Sequence, residues 1–330
     1  MGADTVNRAW VGDAALRPWL DVDTLMAIQS LPVRVRRVLE GMRLGAHRSV
    51  RRGSSVEFAE YRGYVPGDDL RRLDWKRMAR SGRAYVRQYE DETSLDCVLV
   101  SDLSASMAFG GSATGKADWA RTFLGTLGML LLEAGETVGL VRCGGGMMGA
   151  VPLGVGGRRS ARWWPVLDAE PTGDAGPLDG LRLACGWVRR RSLVVVVSDF
   201  LGEPTEWEAE VRRLVVGRNE VVLVEVLTRE ELDFPYEGAW WVKDPETGFG
   251  VRVDGAAARD EYLLQLSEHR KRLDRVALSC GARLLRCTVE TPFEPVVAGV
   301  VGLLRGVPST LVQGDIEASN GGGSLRGGGL

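Results

Sequence analysis

From Asp96 onward, short β-branched runs alternate with amphipathic helical stretches, and this alternation constrains the fold more than any other feature of the sequence. The pattern predicts strands over Cys97–Ser101, Thr137–Cys143, Leu193–Ser198, Glu220–Leu227 and Ala282–Val289. Between them it predicts helices over Lys116–Ala134, Arg158–Asp168, Leu178–Arg191, Thr205–Val216, Ala256–Cys280 and Pro295–Leu304. Runs such as LVVVV from Leu193 are apolar on both faces, which suits parallel strands covered by helices above and below. The expected fold class is α/β, a three-layer α/β/α sandwich around a mostly parallel sheet. One irregularity breaks the rhythm: AWWVK and GVRVD flank Asp244-Pro245 and Thr247-Gly248, so a hairpin insertion is expected at about 235–254.

The rest of the chain reads differently. Residues 1–21 form a variable N-terminus, and Asp23 to Met42 has helical character interrupted at Pro32 before the basic stretch GAHRSVRRGSS. An N-terminal arm is expected over 22–95, the main domain over 96–305, and a glycine-rich, disordered tail over 306–330. Net charge is −2, yet residues 33–89 carry 15 Lys or Arg against 6 Asp or Glu, so the two parts should attract each other. No apolar run approaches the roughly 18 residues of a membrane helix. The start, MGADTVNRAWVGDAALRPW, lacks a basic stretch followed by an apolar core, so a cytoplasmic protein without a membrane span is expected. The five cysteines stand singly with no CxxC pair, and only His47 and His269 could supply imidazole, which leaves no cysteine-histidine zinc site.

In open α/β sheets ligands bind beyond the carboxyl ends of the strands, and Asp102 stands just past the first strong strand in VLVSDLSASM. Asp102, Ser104 and Ser106 alternate, so three oxygen-bearing side chains of one loop can converge. Magnesium takes six oxygens and gives up water reluctantly; two hydroxyls with a carboxylate acting through water can hold it. Two further ligands stand at plausible places: Thr172 in EPTGDAG and Asp199 directly after the apolar strand in LVVVVSDF. Taken singly, Asp199 is a helix cap and the serines are turn residues; it is their joint occurrence that points to a cation.

Two glycine-rich matches are set aside on their physics. GGSATGK, Gly110 to Lys116, has the spacing of a phosphate loop, but Ala117 stands where a hydroxyl should meet magnesium and the strand ends some ten residues earlier. GGGMMG, Gly144 to Gly149, is followed by the strand-like AVPLGV rather than by a helix, so a hairpin turn is the better reading.

The set Asp102, Ser104, Ser106, Thr172 and Asp199 resembles the metal-ion-dependent adhesion site of von Willebrand factor type A domains. That resemblance implies magnesium or manganese, weakly bound, with a partner's carboxylate completing the shell. Upstream, EFAEYRGYVPGDDLRRLDWKRMARSGRAYVRQYEDE resembles the signature of the domain-of-unknown-function fifty-eight family. The matching residues are Arg62, Tyr64, Gly67, Asp68, Asp69, Arg72, Asp74, Trp75, Ala79 and Arg80. The family implies a von Willebrand factor A-like fold and work beside a MoxR-type AAA+ ATPase in assembling or maturing other proteins. Many members carry two N-terminal membrane helices, so this chain reads as a short soluble one. Physically, the mixed charges around Trp75 suit a packed ion-pair network between arm and sheet, in preference to a binding surface.

The expected function is a non-enzymatic, metal-dependent protein-interaction module whose partner is the ATPase or its client. No paired catalytic carboxylates, no nucleophile with a histidine base and no intact phosphate loop argue for chemistry. A metal-dependent hydrolase using the same oxygens is the first alternative. Nucleic-acid binding through the basic segment 33–89 is the second, and it is not the expected one.

Overall fold

The β-branched runs buried on both faces do form one sheet. In the computed structural model, strands β3 (Asp96–Asp102), β4 (Thr137–Cys143), β5 (Gly149–Val151), β6 (Leu193–Ser198), β7 (Glu220–Leu227) and β10 (Arg283–Thr288) make a six-stranded sheet in the order β10-β7-β6-β3-β4-β5. All neighbours run parallel except β5, which returns antiparallel to β4 with Leu140 opposite Val151. GGGMMG therefore joins two antiparallel strands, as its composition implies. The structure describes residues 22–26, 28, 30–46, 61–64, 78–80, 82–87, 94–110, 115–144, 149–173, 176–189, 191–244 and 248–304. The expected variable N-terminus 1–21 and tail 306–330 lie outside the described residues.

The helices close the sandwich. One face carries α1 (Val22–Met26), α2 (Leu31–Ala46), α3 (Lys116–Glu133) and α9 (Phe293–Leu304), whose Leu31, Val35, Val38, Phe123, Leu124 and Val297 form a core with Leu99 and Val195. The other face carries α5 (Leu178–Trp187), α6 (Glu208–Val216) and α8 (Gly255–Cys280), packed through Leu181, Val211, Leu214 and Leu273 onto Val98, Val100 and Val194. Helix α3 is buried nearly all round because the sheet covers one side and α2 and α9 another. Its Trp119 stacks on Phe123 and Phe293 with ring centroids 5.3 and 5.5 Å apart, and donates its indole N–H to the Thr291 carbonyl at 2.9 Å. Gly128 lets Trp163 lie against α3, since a Cβ there would stand 2.5 Å from the ring.

Several boundaries differ from the sequence expectation. α1 ends at Met26 and α2 begins at Leu31, and Pro32 sits in the first turn of α2, where its missing N–H costs nothing. The helix expected over Arg158–Asp168 is a 3₁₀ turn, Gly157–Arg162, followed by the short α4, Trp164–Leu167, restarted at Pro165. Thr205–Val216 likewise divides into a 3₁₀ turn, Pro204–Glu206, and α6. A short helix after β7, α7 (Arg229–Asp233), has no counterpart in the sequence reading.

The chain forms two compact units, residues 1–43 with 95–330, and residues 44–94. The arm expected to begin at 22 therefore begins about twenty residues later, because Val22, Leu25, Met26, Leu31, Val35 and Val38 complete the core of the sandwich. In the smaller unit β1 (Tyr61–Gly63) pairs antiparallel with β2 (Tyr85–Arg87), Arg62 standing opposite Val86. Arg80 lies on an exposed helical turn, while Gly67, Asp68, Asp69, Arg72, Asp74 and Trp75 lie outside the described residues.

The insertion expected at 235–254 is a separate two-stranded antiparallel sheet, β8 (Ala239–Lys243) with β9 (Gly250–Asp254). Its Trp240, Trp241, Val242, Phe249 and Val251 are exposed. Among the described residues no helix is long and apolar enough to cross a membrane.

Candidate functional site

Strand order reverses at β3. The chain leaves β3 for α3 on one face and β4 on one side, and later leaves β6, on the other side of β3, for α6 on the opposite face. The loops after β3 and β6 thus diverge around a crevice, which is where open α/β sheets bind ligands. Asp102 closes β3 and Asp199 follows β6, so topology brings the two together from 97 residues apart (199 − 102).

The loop after β3 is clamped from both sides. Leu103 N–H donates to the Cys143 carbonyl at 2.8 Å, extending the β3–β4 ladder, and the Leu103 carbonyl accepts from Thr172 N–H at 2.9 Å. Ala105 N–H donates to the Gly173 carbonyl at 2.9 Å, so the Thr172 loop lies against the Asp-x-Ser-x-Ser loop. Gly144 makes this possible: its φ is +132°, and a Cβ there would stand 2.2 Å from the Leu103 carbonyl oxygen. Leu103 and Met107, both fully buried, anchor the loop and its 3₁₀ turn, Ala105–Ala108, in the core.

Asp102 is 1% exposed, and each carboxylate oxygen has a donor: Ser104 N–H at 2.9 Å on Oδ1 and the Ser198 hydroxyl at 2.6 Å on Oδ2. The Ser198 hydroxyl in turn accepts from Phe200 N–H at 2.9 Å. Burial first, and then the charge of Asp199, push the Asp102 carboxyl up to about 7 against the pull of these hydrogen bonds. The hydroxyls of Ser104 and Ser106 lie 3.0 Å apart, so they face a common point as alternate spacing implies. Thr172 is exposed at the rim.

Asp199 is engaged by a residue that the sequence reading had set aside. Lys116, the first residue of α3, is fully buried, and its ammonium donates to Asp199 Oδ2 at 2.8 Å and to Glu231 Oε1 at 2.5 Å. Burial alone would lower the Lys116 pKa; the two carboxylates outweigh it and hold it above the ordinary lysine value. Glu231 is held by a capping box on α7, its Oε2 accepting from Thr228 N–H at 2.8 Å while Thr228 Oγ1 accepts from Glu231 N–H at 3.2 Å. On the far side, Phe200 adopts φ +49° and its carbonyl lies 2.7 Å from His269 Nε2 of α8.

The structure therefore gathers Asp102, Ser104 and Ser106 in one loop, sets the Thr172 backbone against it, and brings Asp199 near on the adjacent strand end. Sequence reading missed Ser198, Lys116 and Glu231. Thr-Arg-Glu-Glu at 228–231 does carry the spacing of a capping box, which signals a helix start but not an ion pair. Among the described residues no three His, Cys, Asp or Glu side chains group as a metal site. The donors that do converge are hydroxyls and a carboxylate, the all-oxygen chemistry that a hard dication accepts.

Fold and site define a class: a three-layer α/β sandwich with a mostly parallel sheet, presenting hydroxyls and carboxylates where strand order reverses. The chain belongs to the family described as "Protein of unknown function DUF58", whose model matches residues 60–272. It is 33% identical over 266 residues to the Uncharacterized protein Rv1480 of Mycobacterium tuberculosis (strain ATCC 25618 / H37Rv), a match covering 78% of this chain and 83% of that one. The Uncharacterized protein Mb1516 of Mycobacterium bovis matches with the same identity and coverage. Among solved structures the chain is similar to the conserved hypothetical protein BatB from Bacteroides thetaiotaomicron, with 12% identity over 64% of this chain and all of that one, at a TM-score of 0.43. It is also similar to the SpRpn10 VWA domain, with 11% identity over 68% of this chain and all of that one, at a TM-score of 0.40.

Proposed function

We propose that this protein is a non-enzymatic interaction module that holds magnesium or manganese at Asp102, Ser104, Ser106 and Thr172, with Asp199 behind them, and through the ion grips a carboxylate of a protein partner. The single observation that carries this reading is the clamped Asp-x-Ser-x-Ser loop: its two hydroxyls lie 3.0 Å apart beside a buried carboxylate at the reversal point of the sheet. The ion would supply positive charge beside the Asp102 carboxylate, so that an acidic group can be received there. With hydroxyls as direct ligands little protein charge offsets the dication, and the partner's carboxylate tightens it. The partner expected from the family resemblance is a MoxR-type AAA+ ATPase or its client.

The test is a pull-down and a titration of the purified ATPase with wild type, Asp102→Ala and Ser104→Ala, in magnesium and then in EDTA. Magnesium should tighten the wild-type complex by roughly five- to 150-fold, the usual span of coupling between linked sites. Both variants should lose that gain while keeping the wild-type circular dichroism spectrum. Binding that is equal in EDTA and magnesium would overturn the reading.

A further inference from the structure

The least expected group in the molecule is the ammonium of Lys116, which has no solvent contact and bridges two carboxylates, Asp199 just after β6 and Glu231 of α7. A buried ion pair is a poor device for stability, since apolar residues of the same volume often serve as well, so what it does to its partners is the better question. One partner, Asp199, stands behind the cation site proposed above, and the inference rests on that reading. We propose that Lys116 is a tethered cation that sets the strength of the metal site: it already neutralises Asp199, so an incoming dication meets a weaker field and must share that carboxylate with the ammonium.

The geometry supports competition rather than simple support. Asp199 gives Oδ2 to Lys116 at 2.8 Å, whereas among the described residues its Oδ1 has a long contact, 3.4 Å, from Leu201 N–H. The carboxylate is thus held toward the ammonium by one strong bond. Lys116 is kept in place from three directions: the helix that begins at it, the capping-box-fixed Glu231, and the Phe109 ring, whose centroid lies 5.8 Å from Nζ. Lys116 touches neither the partner nor the ion; it is a positioning residue that acts through Asp199.

The test uses the full chain and Mn²⁺ alone as the probe, with affinity read by calorimetry and by the free-Mn²⁺ electron paramagnetic resonance signal. Lys116→Met, which keeps length and removes charge, should tighten Mn²⁺ by roughly tenfold or more, because a positive charge a few ångströms away is gone. Adding Asp199→Asn to Lys116→Met should return affinity to near the wild-type value. Should Lys116→Met fail to fold, Glu231→Gln keeps the lysine and leaves its charge to Asp199 alone, and should weaken Mn²⁺ several-fold. A folded Lys116→Met with wild-type affinity overturns the proposal and leaves the metal reading standing, as does an unchanged Glu231→Gln where that variant is the one measured. Binding by Lys116→Met beside none by wild type overturns the metal reading and supports the proposal. No Mn²⁺ binding by any variant overturns both.

Discussion

At Asp102 local chemistry and long-range topology act on one carboxylate. Its own loop supplies the Ser104 N–H, but the second donor, Ser198 at the end of β6, and the raising charge of Asp199 just after it lie 96 and 97 residues away. The loop triad was legible because alternate residues of one loop converge whatever the fold. Lys116 was not, because its partners lie 83 and 115 residues off and nothing in GGSATGK distinguishes a lysine that will meet phosphate from one that will meet carboxylates. The raised Asp102 value has a pH consequence. An unfolded aspartate titrates near 3.9, and the folded group near 7, so its contribution to stability is full below about 4 and is lost as pH rises through about 7. Without divalent cations, the stability of wild type relative to Asp102→Asn should therefore fall between pH 5 and pH 8. Urea unfolding of both proteins at the two pH values measures it, and a constant difference would show that Asp102 does not titrate there.

Among elements, the turn from β4 into β5 contributes most to the site without adding a ligand. Gly144 occupies φ +132°, a region open to glycine, directly beneath the Leu103 carbonyl that receives Thr172. Gly144→Ala should destabilise the fold by about 1–3 kcal/mol, through strain and the collision with Leu103, and should weaken Mn²⁺ binding by displacing the clamped loop. Thermal melts and Mn²⁺ titration of the variant check both halves; a variant with wild-type melting and affinity would mean that the close approach is relaxed at no cost. The glycine cluster was readable as a hairpin turn, since β5 pairs antiparallel with β4. Its second role was not readable, for the distance between Gly144 and Leu103 is created by the ladder between β3 and β4. The split helices have a similar origin: Pro165 restarts a helix that periodicity alone would run through.

At the scale of the molecule, helices α1 and α2 belong to the sandwich, and the segment 44–94 is a unit of its own. Its two attachment points are close together. Arg43 pairs with Glu133 at 2.5 Å at the end of α3, and Leu95 N–H donates to Glu136 at 2.5 Å, three residues further on. Replacing residues 44–94 by a flexible linker of about six Gly and Ser residues should leave a cooperatively folding sandwich, because such a linker spans the gap and the larger unit keeps its own core. A circular dichroism melt should show one transition within roughly 8 °C of the full chain. A broad, non-cooperative melt would show that the larger unit does not fold alone.

By itself the sequence determined the α/β class, the sheet of strands buried on both faces, the hairpin insertion and the position of Asp102, Ser104 and Ser106 at a strand end. These follow from periods of two and 3.6 residues and from turn chemistry, which act over a few neighbouring residues. Only the tertiary structure decided that β6 lies beside β3, so that the charge of Asp199 acts on Asp102. It also decided that α1 and α2 complete the core, and that Lys116 spends its charge inside the protein. Each depends on which surfaces meet once the layers pack. A buried charge is tolerated only where opposite charges from distant segments arrive at the same point, and local pattern carries no record of that meeting.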